Sequence, residues 1–404
     1  MKKKNRLFYL VLAVISILYL FLRLWNLNNL ITFHIDQGIQ LSEAYQVVAN
    51  HKIPLIGPMV ISKTFEGRGF FIGPFYTYSL ALLGIIFNWI PLNITAFLIF
   101  LEFSYLFLFL IWLSRKYSHP AIAVIFFLIA TCPFLIEHSR FFWNPHFLLP
   151  LSFLFLFFLE KRKYFFSAIV WGLAFSFHYS AALWAIPLLI YLSKNKEKLY
   201  KYLLCIPGFL LGDLPWFLFE FKHNFYNIKT MFLVFINTNK AGELSAYYFV
   251  FSFSVFLIFL LLKISKKSSR VFYLLSALIL IFNLYYQLNL KEKLPVGMPD
   301  GWTYPVQQKV VEMITQNNCP QNYNVATTIS GDTQAHDLRY LLTTKNCPPN
   351  NVDNYPNSST IFLIAPPDRI PKDETVWEIS SFNPFKITKT VKINDNIYFY
   401  QLDK

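Results

Sequence analysis

Long apolar runs dominate this chain and limit the folds that are open to it. Several reach or approach the roughly 18 residues that a helix needs to cross a bilayer, and backbone groups inside a bilayer are satisfied within helices. Only 14% of the residues are charged, against about 25% in an average soluble chain. The sequence therefore predicts an all-α polytopic membrane domain. The apolar runs lie near 7–22, 74–91, 93–113, 120–136, 146–159, 164–192, 202–220, 247–262 and 271–289.

The positive charge follows the same division of the chain. The formal net charge is +14, and cytoplasmic loops of membrane proteins carry an excess of Lys and Arg. We therefore assign the basic blocks to the cytoplasm and reject nucleic acid as a partner. These blocks lie between the apolar runs, at 2–6, 115–116, 161–163, 194–201 and 263–270.

This assignment fixes the predicted topology of the first half of the chain. No small-residue cleavage site follows the first run, which predicts an uncleaved signal-anchor with its N-terminus inside. Residues 28–73 then lie outside. Two full crossings within 74–113 would put the basic pair at 115–116 outside as well. We therefore predict that 74–91 dips into the outer face or lies along it.

The second half alternates in the same way. Run 120–136 crosses outward, 146–159 returns, and 202–220 crosses outward again. Run 164–192 begins and ends inside but is too short for two straight spans, which predicts two short helices that meet near 177–180. Residues 290–404 end outside.

The sequence of the C-terminal part predicts a separate soluble domain. Residues 1–290 are predicted to form the multi-pass transmembrane domain, and 291–404 a small extracytoplasmic α/β domain. Cys319 and Cys347 are expected to pair as a disulfide if this part lies in an oxidising compartment. The expected helices cover 306–314 and 337–342, and the expected strands cover 323–329, 360–365, 386–393 and 397–402.

The outer stretch 28–73 carries the first candidates for chemistry: Asp36, Glu43, Glu66 and Arg68. Asp36 suits a general base that accepts a proton from a hydroxyl, or a helix N-cap. Glu66 can bind a sugar hydroxyl or a metal, or replace Asp36 as the base. Arg68 can hold a phosphate, or it can pair with Glu66 in a turn.

Further candidates lie on the same predicted side. Arg140 suits a phosphate, because its guanidinium is always charged and binds oxygens in a fork, or it can snorkel to lipid headgroups. His138 and His178 can ligate a metal with Glu66 or Glu137, or form structural hydrogen bonds, and no metal-ligand spacing decides between these. Asp213 lies within an apolar run and needs a partner such as His or Arg, or it has a purely structural role. The other substrate-binding candidates are His34, Tyr76, Asn144 and His223.

An ordered set of motifs resembles the GT-C membrane glycosyltransferases, in the protein O-mannosyltransferase and aminoarabinose-transferase branch (family 39). The motifs are Phe-His-Ile-Asp at 33–36, Gly-Pro-Phe-Tyr-Thr-Tyr at 73–78, Ser-Arg-Phe-Phe-Trp-Asn-Pro at 139–145 and Gly-Phe-Leu-Leu-Gly-Asp-Leu-Pro-Trp from 208. The resemblance covers roughly residues 7–290.

The resemblance implies transfer of a sugar from a polyprenyl-phosphate carrier to an acceptor hydroxyl outside the cell, with inversion at the anomeric carbon. It gives Asp36 the role of the base. Many members have Asp-Glu where this chain has Asp36-Gln37, which gives Glu66 more weight. Members differ in whether they need a divalent metal ion, so this cofactor stays open, as does the acceptor, which can be a lipid, a protein or a glycan.

Two hypotheses from other functional classes remain. A transporter or lipid flippase would show repeated halves and charges at the membrane midplane, whereas this sequence has no visible repeat and its charges gather on one side. A membrane-anchored sensor would use the C-terminal domain for binding, but an anchor has no need of the polar stretch 28–73.

Overall fold

The computed structural model describes residues 3–60, 69–237, 246–289, 295–316 and 319–404. Most of these residues are helical, and one small sheet lies near the C-terminus, in agreement with the predicted helical chain and its C-terminal α/β part. The helices are α1 Lys3–Leu24, α2 Leu27–Leu30, α3 Ile35–Ala49, α4 Phe75–Ile86, α5 Pro91–Ser114, α6 His119–Thr131, α7 Pro133–His138, α8 Leu148–Glu160, α9 Tyr164–Phe177, α10 Ala185–Lys194, α11 Leu199–Gly212, α12 Leu214–Lys222, α13 Tyr226–Asn237, α14 Ala246–Lys267, α15 Ser269–Asn289, α16 Tyr304–Thr315, α17 His336–Thr344 and α18 Trp377–Ser380. The strands are β1 Tyr323–Thr327, β2 Thr360–Ala365, β3 Lys386–Asn394 and β4 Ile397–Asp403.

The chain divides into two compact units. The helical unit comprises Met1–Arg23, Gln46–Leu83 and Phe97–Asn289. The α/β unit comprises Leu24–Tyr45, Gly84–Ala96 and Leu290–Lys404. The segment that bears Asp36 therefore belongs to the same unit as the C-terminal sheet.

Within the described residues, three helical stretches are long and apolar enough to cross a membrane. They are Arg6–Leu24, Pro91–Ser114 and Ser269–Tyr286. Large apolar side chains on these stretches face outward: Leu10 is 59% exposed and Leu274 is 63% exposed. Outward apolar surface of this kind is unusual in a soluble monomer.

Helix α4 is short. It has 12 residues, which give about 18 Å of helix, while a bilayer core is about 30 Å thick. A turn at Asn88 and Trp89, both with positive φ, separates it from α5. Helix α6, in a run predicted to cross, is similarly short with 13 residues, so the topology of 74–91 stays a prediction.

The predicted break in run 164–192 is confirmed. Helix α9 ends at Phe177, His178 is extended at φ −161° and ψ 136°, and a 3₁₀ segment over Tyr179–Trp184 leads into α10. The His178 ring accepts a hydrogen bond from the Ser180 backbone N–H at 3.1 Å. The side chain thus satisfies a backbone donor that the break leaves without a helical partner.

Two apolar runs that were each predicted to cross the membrane contain a break that was not predicted from the sequence. Run 202–220 divides at Asp213 into α11 and α12, which are bent by 84°. Run 120–136 divides at Cys132, where α6 ends and Pro133 starts α7. A proline follows each break, Pro215 and Pro133, in the first turn of the next helix. Proline has no N–H to continue the preceding helix, but it is well suited to start a new one.

Helices α9 and α11 pack closely because glycines line their contact. A Cβ added at Gly208 would lie 2.7 Å from the Phe165 carbonyl oxygen, and one at Gly212 would overlap the Ile169 carbonyl. Gly208 and Gly212 are four residues apart, so both lie on one helix face. Small residues at this spacing let helix backbones approach each other in apolar surroundings.

The C-terminal elements confirm the predicted helices and strands. The sheet order is β1-β2-β4-β3, with β1 and β2 parallel and the other pairs antiparallel. Helix α17 lies between β1 and β2 in the chain, which makes a βαβ unit. Buried side chains including Ala326, Ile361 and Leu402 form the core beneath the sheet. The expected disulfide between Cys319 and Cys347 is confirmed.

Residues 27–45 pack into the α/β unit as part of its core. Phe33 is fully buried and its ring contacts Tyr304 and Tyr340. The hydroxyl of Thr32 donates to the Val296 carbonyl at 2.9 Å. At Gly38 the α3 backbone meets the start of α17 directly: a Cβ would lie 2.6 Å from the His336 carbonyl oxygen.

We expect Gly38→Ala to lower the thermal stability of the α/β unit. The added methyl has no room, and overpacking of this kind costs about 1–3 kcal/mol. Scanning calorimetry of the full chain in detergent measures the effect. Gly331→Ala is the matched control, because nothing lies within 4 Å of a Cβ added there. Equal melting temperatures for the two variants would contradict the close approach.

Candidate active site

The Asp36 side chain lies in the first turn of α3. A carboxylate is favoured there, because the helix dipole and the free N–H groups of the first turn attract negative charge. The residue as a whole is exposed. A proton acceptor that serves an external hydroxyl needs this kind of access.

The polar groups that act on the Asp36 segment belong to the C-terminal part of the same unit. Asp332 follows β1 in Ser330-Gly331-Asp332 and is only 4% exposed. His34 contacts the Ser330 hydroxyl through Nε2 at 3.2 Å. The Ser330 hydroxyl also accepts from the Asp332 backbone N–H at 3.2 Å. These contacts connect His34, two residues before Asp36, to the loop that follows β1.

Asp332 is itself held by His336 at the start of α17. Its Oδ1 lies 2.7 Å from His336 Nδ1, and its Oδ2 accepts from the His336 backbone N–H at 2.8 Å. The carboxylate therefore accepts a backbone N–H from the first turn of α17 and also contacts the His336 ring. It is fixed in place while it acts on its neighbours through its charge.

The electrostatics raise the proton affinity of Asp36. Burial of part of the carboxyl group raises the pKa of Asp36 above its ordinary value, His34 opposes the rise, and the Asp332 carboxylate adds to it. A carboxyl group with a raised pKa is a stronger base once it is ionised. The arrangement therefore suits transfer of a proton to Asp36.

Asp337 is 2% exposed and forms hydrogen bonds that hold neighbouring residues of the site in place. Its Oδ2 accepts from Trp302 Nε1 at 2.8 Å and from Gln307 Nε2 at 2.9 Å, and its Oδ1 accepts from the Leu338 backbone N–H. Burial raises the pKa of Asp337 above its ordinary value, while His34 lowers it. The same Gln307 amide also donates to the Phe33 carbonyl at 2.7 Å.

Sequence reasoning missed Ser330, Asp332, His336 and Asp337 as members of the site. The signal was present: Ser-Gly-Asp follows a buried strand, and His-Asp begins the next helix. In a parallel β1–β2 pair this position is the carboxyl end of the strand, where polar groups of α/β folds commonly converge. The helix expected over 337–342 was given no chemical role.

Several predicted residues of the helical unit lie near the break at His178. The Asn144 side-chain amide donates to the Phe177 carbonyl at 2.8 Å. Tyr76 is fully buried and packs edge-on against Phe147 and Phe177. The structure thus brings Tyr76, Asn144 and His178 to the end of α9.

Arg140 is placed differently. It is 6% exposed, and its Nη2 donates to the Leu22 carbonyl at 2.8 Å and its Nε to the Arg23 carbonyl at 3.4 Å. The guanidinium therefore stabilises the C-terminus of α1, where cations are favoured. Its role as a phosphate ligand stays a prediction.

The remaining candidates are more scattered. His138 is buried and contacts the Phe134 carbonyl at 2.7 Å through Nδ1. His223 is exposed and stacks on Phe219. Glu66 and Arg68 lie outside the described residues. In the part of the chain that is described, no group of three or more His, Cys, Asp or Glu side chains could hold a metal ion.

Asp213 lies at the break between α11 and α12 and is fully buried. Its carboxylate and the Ser176 hydroxyl both lie against Gly73. The partner expected from the sequence was His or Arg, but Asp213 forms no ion pair among the described side chains. The Ser176 hydroxyl beside it is a neutral group.

Residues 69–73 are hydrogen-bonded to the same region of the helical unit. The Phe71 carbonyl accepts from the Tyr179 hydroxyl and from Trp216 Nε1. The Phe71 N–H donates to the Asn227 side chain at 2.9 Å. The end of the polar stretch 28–73 is therefore fixed to both broken helices.

Comparison with known proteins adds nothing to this geometry. No family model matches the chain, and neither a curated protein nor a solved structure does so.

We expect Trp302→Phe to destabilise the α/β unit by about 1–3 kcal/mol, because a hydrogen bond to the buried Asp337 carboxylate is lost. Calorimetric unfolding of the full chain measures the change. Trp377→Phe is the control, since Trp377 is 49% exposed. If both variants unfold at the same temperature, the Trp302–Asp337 contact does not support the site.

Proposed function

We propose that this chain is an inverting glycosyltransferase that moves a sugar from a polyprenyl-phosphate carrier to an acceptor hydroxyl on the extracytoplasmic face of the cell membrane. The acceptor is a lipid, a protein or a glycan. The protein would span the membrane several times and hold its α/β unit outside. The observation that carries the proposal is the position of Asp36, an exposed residue in the first turn of α3 beside the loop of Ser330 and Asp332 that His34 contacts.

In this mechanism Asp36 accepts the proton of the acceptor hydroxyl as that oxygen attacks the anomeric carbon. The bond from the anomeric carbon to the carrier phosphate breaks on the opposite face, and the phosphate leaves with the electron pair. The Asp332 carboxylate raises the proton affinity of Asp36, and His34 is hydrogen-bonded toward the same loop. General-base assistance of this type contributes about 10²–10⁴-fold in rate.

The departing phosphate needs a cation, because charge develops on it as the glycosyl bond breaks. Arg68 and Arg140 are the candidates. Arg140 already uses two nitrogens at the end of α1, so in this proposal it acts with Arg68 rather than alone.

Two observations support the membrane setting and its orientation. The three long apolar stretches expose large apolar side chains, as lipid-facing helices do. The Cys319–Cys347 disulfide supports an oxidising compartment for the α/β unit. An enzyme outside the cytoplasm has no nucleotide-sugar pool, which supports a donor delivered in the lipid.

One observation favours the second candidate, a transporter or lipid flippase. Two neighbouring helical runs break, at His178 and at Asp213, and a fully buried carboxylate lies at one of the breaks. Transporters place substrate and ion sites at discontinuous helices. Proteoliposomes that hold a labelled lipid-linked sugar separate the two functions, since an enzyme transfers the sugar and a flippase only moves it across the bilayer.

We expect Asp36→Asn to lower transfer by at least about 10²-fold, because the amide cannot accept the proton. The measurement is incorporation of label from a panel of radiolabelled polyprenyl-phosphate hexoses and pentoses. The acceptor is the envelope fraction of cells that lack the protein. Asp395→Asn is the matched control, as its side chain is 94% exposed in the β3–β4 turn. Full turnover by Asp36→Asn would rule out its role as the base.

We expect Asp332→Asn to move the acid limb of the pH–rate profile to lower pH. The Asp332 charge raises the pKa of Asp36, so its removal lets Asp36 ionise at lower pH and stay active there. Transfer rates measured between about pH 4 and 8 give the limb. The span covers the ordinary carboxyl pKa and a raised one. An unchanged limb, or a shift to higher pH, would contradict the coupling of the two carboxylates.

A further inference from the structure

The α/β unit contains a groove between the turn at 88–91 and helices α16 and α17. We call it the Trp89 groove. It has a volume of about 360 Å³, within the usual range of about 300–1,000 Å³ for small-molecule sites. Neither Asp36 nor Asp332 nor Asp337 lines it. Its residues played no part in the reaction proposed above.

Trp89 forms a rigid wall of the groove. Gly84 lies directly against the indole six-membered ring, where a Cβ would overlap it. The Tyr45 ring contacts the indole edge-on at a centroid distance of 5.0 Å. The Trp89 carbonyl also accepts from the Tyr340 hydroxyl at 2.6 Å. The ring is therefore fixed before any ligand arrives, which reduces the entropy lost on binding.

Polar side chains with balanced charge also line the groove, together with the apolar Val311 and Leu341. Gln308, Glu312 and Thr315 line it from α16, at spacings of four and three residues that place them on one helix face. Thr344, the last residue of α17, and Lys345, which follows it, complete the polar lining. Together these side chains offer amide, hydroxyl, carboxylate and ammonium groups, so donors and acceptors are both present.

The Trp89 ring and the polar side chains of the groove together favour one class of ligand. A phosphate or another anion would need an excess of cations, whereas Glu312 offsets Lys345. A purely apolar ligand would leave the polar side chains desolvated without partners, which is costly. A neutral sugar fits both, since its C–H face packs on an aromatic ring and its hydroxyls pair with amides and carboxylates.

We propose that the Trp89 groove binds a neutral oligosaccharide, with one sugar ring packed on Trp89 and its hydroxyls bonded to Gln308, Glu312 and Thr344. This site goes beyond the proposed transfer reaction, because binding needs neither the lipid-linked donor nor Asp36. It gives the α/β unit a carbohydrate-recognition role of its own.

The test is binding of defined sugars to the full chain in detergent. The probes are maltotriose, cellotriose, mannotriose and chitotriose, measured by saturation-transfer NMR and by titration calorimetry. We expect at least one probe to bind with a Kd of about 1 mM or tighter, which corresponds to about 4 kcal/mol. Trp89→Ala should weaken that binding at least about tenfold. Trp377→Ala, an exposed tryptophan in the same unit, should leave it unchanged.

Two further variants keep the result clear. Gln308→Ala changes an exposed side chain of the groove and should weaken the same probe several-fold even if Trp89→Ala fails to fold. Asp36→Asn should bind the probe as the natural chain does, so loss of transfer and loss of binding are separable. Absence of binding by every probe at about 10 mM, ten times the expected Kd scale, would overturn the proposal. Binding that neither Trp89→Ala nor Gln308→Ala alters would overturn it as well.

Discussion

The α/β unit depends on one buried carboxylate. Asp337 accepts hydrogen bonds from Trp302, Gln307 and its own helix, and Gln307 passes a second hydrogen bond to the Phe33 carbonyl. A buried carboxylate is costly unless its oxygens are satisfied, so the donors and the acceptor stabilise one another as a set. Through Gln307 the set also fixes the backbone just before Asp36.

Close backbone contact completes what the hydrogen bonds begin. Gly38 brings α3 against the start of α17, where any side chain would meet the His336 carbonyl. In the helical unit, Gly208 and Gly212 bring α11 against α9 in the same way. Two chemically different units thus use one device: glycine at a point where two backbones must touch. The polar side chains on either side of such a contact then have little freedom to move apart.

The local elements could be predicted from the sequence, because they depend on short-range patterns. The break at His178 followed from a run too short for two spans, and the C-terminal helices and strands followed from their periodicity. The breaks at Cys132 and Asp213 were missed because hydropathy was given more weight than Pro133 and Pro215, which end or restart helices whatever their neighbours.

The candidate site could be predicted only in part. Asp36 stood out by its position in a polar stretch, but Asp332 lies almost three hundred residues later in the chain. No local pattern states that a loop after β1 will meet a helix near the N-terminus. The contact between these two segments depends on Gly38 and Phe33, and nothing in the sequence distinguishes either residue. Long-range packing decides such contacts, and one sequence carries no direct record of it.

The two carboxylates that matter most differ in access, and access separates the two candidate functions. Asp36 is exposed, so an acceptor hydroxyl can reach it without any change in the fold. Asp213 is fully buried against Gly73 and Ser176, so it can meet a solute only if the helices move at their break. A transporter built on Asp213 therefore requires motion between α11 and α12, whereas an enzyme built on Asp36 can work from the arrangement described. Of the two, the enzyme needs fewer changes from this structure.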